Sequence, residues 1–175
     1  MSNRNQLITV EQFRELARPM SAHLDEEEVN SYIREAEDAY IIPAIGYANF
    51  KATTQGEKTS SAGDGFEVSV FSDGGEWKDD KDNMQYCNGL RKALAYFTYA
   101  KMIRSDGAIL SRAGNMRHRD DYGDHVDDSK LKEYNDIMSM AESYLNSAML
   151  YLKKNSTNPV QPIRGTRSHI YAIGD

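Results

Sequence analysis

The sequence predicts a mainly α protein: a small helical bundle of about four to five helices, a long loop carrying a small β-hairpin, and an extended C-terminal arm. Three observations lead there. Apolar residues recur at helical spacing in four separate stretches, the last of them running from about Asp128 to Lys154. Residues 51–65 carry almost nothing that could enter a core, and they are followed by a short run of strand formers. After Asn155 helical periodicity stops and prolines and glycines appear. The organisation is a body of residues 1–155, with residues 51–80 as a loop and hairpin insertion, and an arm of residues 156–175.

The first helix starts at Thr9. Thr9 and Gln12 have capping-box spacing, and Phe13, Leu16 and Ala17 form a short apolar stripe that Pro19 closes. Asp25 caps the second helix. Glu26, Glu27 and Glu28 fill its first turn, where the helix dipole favours negative charge. Val29, Tyr32, Ile33, Ala36, Ala39 and Tyr40 form its stripe, which ends near Ile41 with one more turn before Gly46. FEVSVF (Phe66 to Phe71) reads as a strand, SDGG as a turn and Glu76-Trp77-Lys78 as a return strand. Such a hairpin is marginal alone, so it should pack on the helices or on another subunit. The third helix is expected over about Asn83 to Arg104, capped by Asp82 and stopped by Gly107. Its stripe is Cys87, Leu90, Leu94, Phe97 and Lys101, widened by Ala93, Tyr96 and Ala100. In the fourth helix Leu131, Tyr134, Met138, Ala141, Leu145, Ala148 and Leu152 make a coiled-coil-like seam, closed by Lys153 and Lys154. The arm holds Ile163, Ile170, Tyr171 and Ile173, apolar residues that imply docking on something, such as another subunit.

Bulk properties narrow the function. A chain of 175 residues forms one domain with a real core. A net charge of −6 argues against a general nucleic-acid binder. One cysteine, Cys87, excludes an intrachain disulfide and fits a reducing compartment. The opening residues have no apolar signal core and no run is long enough to span a membrane, so the chain reads as soluble.

One stretch invites a chemical reading. SRAGNMRHRDDYGDHVDDSK (Ser111 to Lys130) gathers Arg112, Arg117, Arg119, His118 and His125 with Asp120, Asp121, Asp124, Asp127 and Asp128. The aspartates miss the EF-hand grid, and there is no HExxH and no Glu-x-x-His pair. A metal site over residues 118–128 is therefore the weaker alternative to a solvated inter-helix connection. Cys87 lies on an apolar stripe and reads as a buried thiol, and neither a GxSxG elbow nor a P-loop is present. No catalytic residue, metal or cofactor is assigned, and the chain reads as no enzyme. The eleven tyrosines and eight methionines are explained first by core packing and second by subunit contact.

The segment ITVEQFRELARPMSAHLDEEEVNSYIREAEDAYIIPAIG resembles the opening of tailed-phage head–tail connector proteins, also called adaptors or head-completion proteins. Val29, Tyr32, Ile33, Ala36, Tyr40, Ile41 and Gly46 carry the match. NGLRKALAYFTYAKMIRSDG resembles the family's central helix, and LSRAGNMRHRDDYGDHVDD then leads into KLKEYNDIMSMAESYLNSAMLYLKKN, similar to its long final helix. The order of elements matches over roughly residues 8–155, with the flavour of phages and prophages of Bacteroides-like hosts. The resemblance implies a structural virion protein at the head–tail junction, assembled in the host cytoplasm. It implies a homo-oligomeric ring of about twelve copies that adds to the portal protein, extends the DNA channel and docks neck or tail proteins. DNA would pass without sequence-specific binding, and an acidic lining would let it slide. Partner or subunit contacts are expected at Arg112, Arg117, Arg119, Phe71, Trp77, Ile163, Arg164, Ile170, Tyr171 and Ile173. A different helical protein–protein interaction module of a mobile element is the alternative.

Overall fold

The computed structural model describes residues 4–19, 25–58, 62–63, 65–79, 81–105, 108–111, 114–117 and 127–155, with backbone alone at 108–111, 114–117 and 127–130. The protein is mainly helical, with a small two-stranded antiparallel hairpin, as the sequence predicts.

Helix α1 (Val10–Leu16) opens with the expected box: Gln12 N–H donates to Thr9 Oγ1 at 3.3 Å, and Thr9 N–H donates to Gln12 Oε1 at 3.0 Å. Helix α2 (Glu26–Ala36) is capped by Asp25, whose Oδ1 accepts from Glu27 N–H. It does not stop at Ala36 but widens into a π turn (Glu37–Ile41) and continues as α3 (Ile42–Ile45). Pro43 supplies a cause. A proline in a helix lacks its N–H, and its ring presses on the carbonyl four residues back, here that of Ala39 inside the π turn. Gly46, at φ +80°, ends α3 and starts α4 (Tyr47–Thr54). The expected loop of residues 51–65 thus begins as helix.

The next segment corrects the sequence reading. Val68–Ser72 form a short helix, α5, where a strand was expected. Phe66 and Phe71 are five apart, so a strand would point them to opposite faces. The helical turn lets both be buried, with ring centroids 5.5 Å apart. Strand β1 (Gly75–Lys78) contains the expected return strand, but its partner is β2 (Met84–Cys87), which the sequence reading had placed in a helix. Asp82, expected as a helix cap, sits at φ +62° in the connecting turn. Asp79 organises that turn by accepting from Lys81 and Asn83 N–H.

Helix α6 (Leu90–Ser105) starts only after Gly89, at φ +84°. It is the central helix. Leu90, Ala93, Leu94, Ala95, Phe97, Thr98 and Ala100 are all buried, because α2 covers one side and α7 (Asp127–Lys154) another. Between α6 and α7 lies a second antiparallel hairpin, β3 (Ala108–Ser111) with β4 (Gly114–Arg117), in a stretch read as an irregular connection.

Helix α7 covers the expected range, but its buried face is rotated from the expected seam. Ala141, Ala148 and Leu152 are buried, Leu145 is half-buried and Leu131 is 59% exposed, while Ile137 and Tyr151 enter the core. The helix serves two partners, α6 on one side and the α5–β1–β2 unit on the other, so its apolar face is broader than a single seam. Aromatic and cationic contacts fix its register on α6. Lys92 lies over the Tyr144 ring, Tyr96 meets that ring edge-on at 5.0 Å, and Arg104 lies over Tyr134.

Candidate interaction surfaces

Four places merit a chemical reading: a buried carboxylate, the only cysteine, the β1–β2 hairpin and a groove beside α7.

Glu37 sits in the π turn and is fully buried. Its Oε1 accepts from Leu7 N–H at 2.7 Å and its Oε2 from Arg4 at 2.8 Å. Burial pushes the carboxyl above the usual carboxylate range, while Leu7 and Arg4 pull it back. A buried, shifted carboxylate is where catalysis is first sought. Here both oxygens are engaged in holding the N-terminal strap, residues 4–8. Arg91 completes the clamp: it donates to the Leu7 carbonyl at 3.2 Å and also to Asp73. The strap thereby buries Leu7 and Ile8. A polar cleft of about 390 Å³ beside it, lined by Asn5, Gln6, Thr9, Glu11, Glu26 and Asn30, is open to solvent.

Cys87 is buried, as expected, though on a strand and not on a helix stripe. Burial pushes its thiol up, which disfavours the reactive thiolate. Among the described residues, no group of three or more His, Cys, Asp or Glu side chains comes together as a metal site would require.

The hairpin separates into two faces. Trp77 points inward, its ring 5.3 Å from that of Tyr151 in an edge-on contact. The Tyr151 hydroxyl accepts from Glu67 N–H at 2.7 Å, so one side chain of α7 ties down both α5 and β1. Phe71 and Trp77, expected at a partner contact, are thus taken up by the protein's own core. The outward face pairs Glu76 with Tyr86 and Lys78 with Met84. Tyr86 is 63% exposed and Met84 57%. Neither was singled out from the sequence, because residues 83–104 read as one helix. The signal was Asn88-Gly89, a turn dipeptide that breaks that helix before Leu90.

The groove lies between the π turn, α3 and α7. Tyr40 stacks on Phe97 at 4.4 Å, nearly parallel, to form its floor. Ala39, Pro43, Ala44 and Leu145 line it, and Glu142 is its one charged lining residue. Its volume is about 320 Å³. Arg104 and Glu142 both act on the Tyr40 hydroxyl, whose proton burial already makes harder to lose.

The remaining expected contact residues lie elsewhere. Arg117 falls on β4, where only backbone is described. Arg112, Arg119, Ile163, Arg164, Ile170, Tyr171 and Ile173 lie outside the described residues, as do His118, His125, Asp120, Asp121 and Asp124. No helix among the described residues is long and apolar enough to cross a membrane.

A helical body with a hairpin packed on its last helix is the class of protein that these elements define. The chain belongs to a family of unknown function (DUF6712), whose model matches residues 41–160, from the end of the π turn to just beyond α7. No curated protein and no solved structure matches it.

Proposed function

We propose that this chain is a structural subunit of a tailed-phage head–tail junction, a connector that adds to the portal as a ring and carries the DNA channel toward neck and tail. The sequence resemblance over residues 8–155 motivates the reading. The observation that carries it is the division of labour in the body. α6 and α7 form a rigid antiparallel pair locked by aromatic and cation–π contacts. Among the described residues, an outward hairpin face and an apolar groove stay exposed on its flanks. The buried charge of Glu37 and the flanking charges of Arg4, Arg91 and Asp73 are spent on internal clamps that hold backbone and one another. A scaffold with firm internal ties and separate apolar contact faces suits a ring subunit, which must present different surfaces to its two neighbours. The acidic net charge of −6 suits a conduit through which DNA slides.

The test is native mass spectrometry of the chain alone and mixed with the portal ring from the same genome. The expected result is a closed ring of about twelve copies on the portal. An intact portal ring that takes up no subunit at any ratio refutes the connector reading.

A further inference from the structure

We infer that the N-terminal strap, residues 4–8, is a latch. It lifts off the body about Thr9 while α1 stays folded, and the Arg91 guanidinium carries its opening to the corner between α5 and β1. The inference stands apart from the connector reading, since it concerns a single copy of the chain.

The way the strap is held is the first argument. Among the described residues, residues 4–8 make no backbone–backbone hydrogen bond. Their ties run through side chains instead. Leu7 N–H donates to Glu37 Oε1 at 2.7 Å, and the Leu7 carbonyl accepts from Arg91 Nε at 3.2 Å. Arg4 donates to Glu37 and Asp38, and Gln6 Nε2 donates to the Asn30 carbonyl at 3.4 Å. Lifting the strap therefore breaks no bond of a helix or a sheet, and a local opening of that kind costs less than global unfolding. The cleft beside the strap already brings solvent along Asn5, Gln6 and Ile8.

The hinge is the second. Thr9 is extended, at φ −88° and ψ 170°. Its capping box with Gln12 lies on the α1 side of Leu7 and Ile8, and Val10 and Phe13 are buried in their own right. α1 thus has its own start and its own anchors, and it needs nothing from the strap to stay helical.

The shared guanidinium is the third. Arg91 Nε holds the Leu7 carbonyl while its Nη1 holds Asp73 Oδ1. Asp73 closes α5, and the next residue, Gly74, donates its N–H to the Val70 carbonyl at 3.2 Å just before β1. A guanidinium is planar, so gripping the strap also fixes the fork aimed at Asp73. When Leu7 leaves, Arg91 regains its rotation and the bond to Asp73 weakens. By linkage, loosening the corner must also loosen the strap.

The experiment is native-state hydrogen exchange of the full chain in low concentrations of urea, read at the amides of Leu7, Phe13, Gly74 and Phe97, the last in the middle of the buried helix α6. The Leu7 amide should exchange faster than that of Phe97 and with almost no urea dependence, and the Phe13 amide should not follow it. Arg4→Ala removes bonds to Glu37 and Asp38 and leaves Arg91 and Asp73 in place. It should speed exchange at Leu7 by about tenfold or more and at Gly74 by at least about twofold. Asp73→Asn should in return speed Leu7 by at least about twofold, and in an Arg91→Lys chain Arg4→Ala should no longer reach Gly74. A Leu7 amide that shares the rate and urea slope of Phe97 opens only with the whole body, and that overturns the latch. Phe13 opening together with Leu7 overturns the hinge at Thr9. A Gly74 amide unmoved by Arg4→Ala overturns the coupling through Arg91. The first comparison uses the wild-type chain alone and decides the latch even where a variant folds poorly.

Discussion

Tyr151 is expected to be the most informative single position in the body, because its ring and its hydroxyl do separate jobs. Tyr151→Phe removes one oxygen and leaves the ring against Phe66 and Trp77, at 5.4 and 5.3 Å. The Glu67 N–H, which donates to that oxygen at 2.7 Å, then loses its partner in a part-buried place. Leaving such a donor unmatched costs roughly 1–3 kcal/mol, and about 1.5 suits partial burial. For a chain of this size that is a fall of roughly 3–6 °C in Tm. Tyr151→Ala also removes the ring from a position with 1% exposure, and the cost should rise to about 3–5 kcal/mol. Burial pushes the phenol above its usual range, so it stays neutral between about pH 5 and 8. The cost of Tyr151→Phe should therefore be flat across that window. Urea unfolding of the three proteins supplies the energies, and hydrogen exchange at the Glu67 amide reports the bond directly. If Tyr151→Phe lies within about 0.5 kcal/mol of wild type and the Glu67 amide keeps its protection, the hydroxyl is not the tie described here.

Three further outcomes are expected. A Cβ at Gly89 would lie 2.5 Å from the Asp73 carbonyl carbon and 2.6 Å from Gly74 N, at φ +84°, so Gly89→Ala should cost about 2–4 kcal/mol; a change under about 1 kcal/mol by urea unfolding would show that the two backbones do not cross so closely. The raised pKa of Glu37 means that the folded state takes up a proton more readily than the unfolded chain, so its stabilising contribution is full below the unfolded value and is lost as pH rises through the folded one. Wild type should accordingly gain Tm relative to Glu37→Gln as pH falls from about 7 toward 4.5, and a constant difference would mean that Glu37 keeps its ordinary pKa. Cys87, buried and with its thiol pushed up, should react with a thiol reagent at least about 100-fold slower in the native protein than in urea; equal rates would place it at the surface.

Much of the helical frame was legible because capping is local. Thr9 with Gln12, and Asp25 with its following glutamates, need only a few neighbouring residues to declare a helix start. The end of the second helix was legible for the same reason: Pro43 and Gly46 act on their own turn. A hairpin was expected here, but with Phe66–Phe71 and SDGG as its first strand and turn, whereas Gly75–Lys78 pairs forward with Met84–Cys87. Phe66 and Phe71 look like strand formers, but the burial of both, with Phe66 against Phe71 and Tyr151, makes the helical turn win. The partner strand was hidden because Met84, Cys87, Leu90 and Leu94 mimic a helical stripe across Asn88-Gly89. The contact surfaces followed that error. Trp77 was chosen as the outward aromatic, whereas strand alternation turns it inward and sends Tyr86 and Met84 out. The clamp on Glu37 was not legible at all. It joins Arg4 and Leu7 to a residue about thirty positions on, through a π turn that no local pattern announces.

Two long-range ties also set a calendar for folding. The strap carbonyl at Leu7 waits for Arg91, and the Glu67 amide waits for Tyr151; each partner is 84 residues downstream. During synthesis the strap leaves the ribosome long before α6 exists to receive it, and the hairpin before α7 does. Leu7, Ile8, Phe66 and Trp77 must meanwhile stay unburied or find provisional company. Helix α7, the last among the described residues, is therefore the one that turns a string of shorter helices into a cooperative unit.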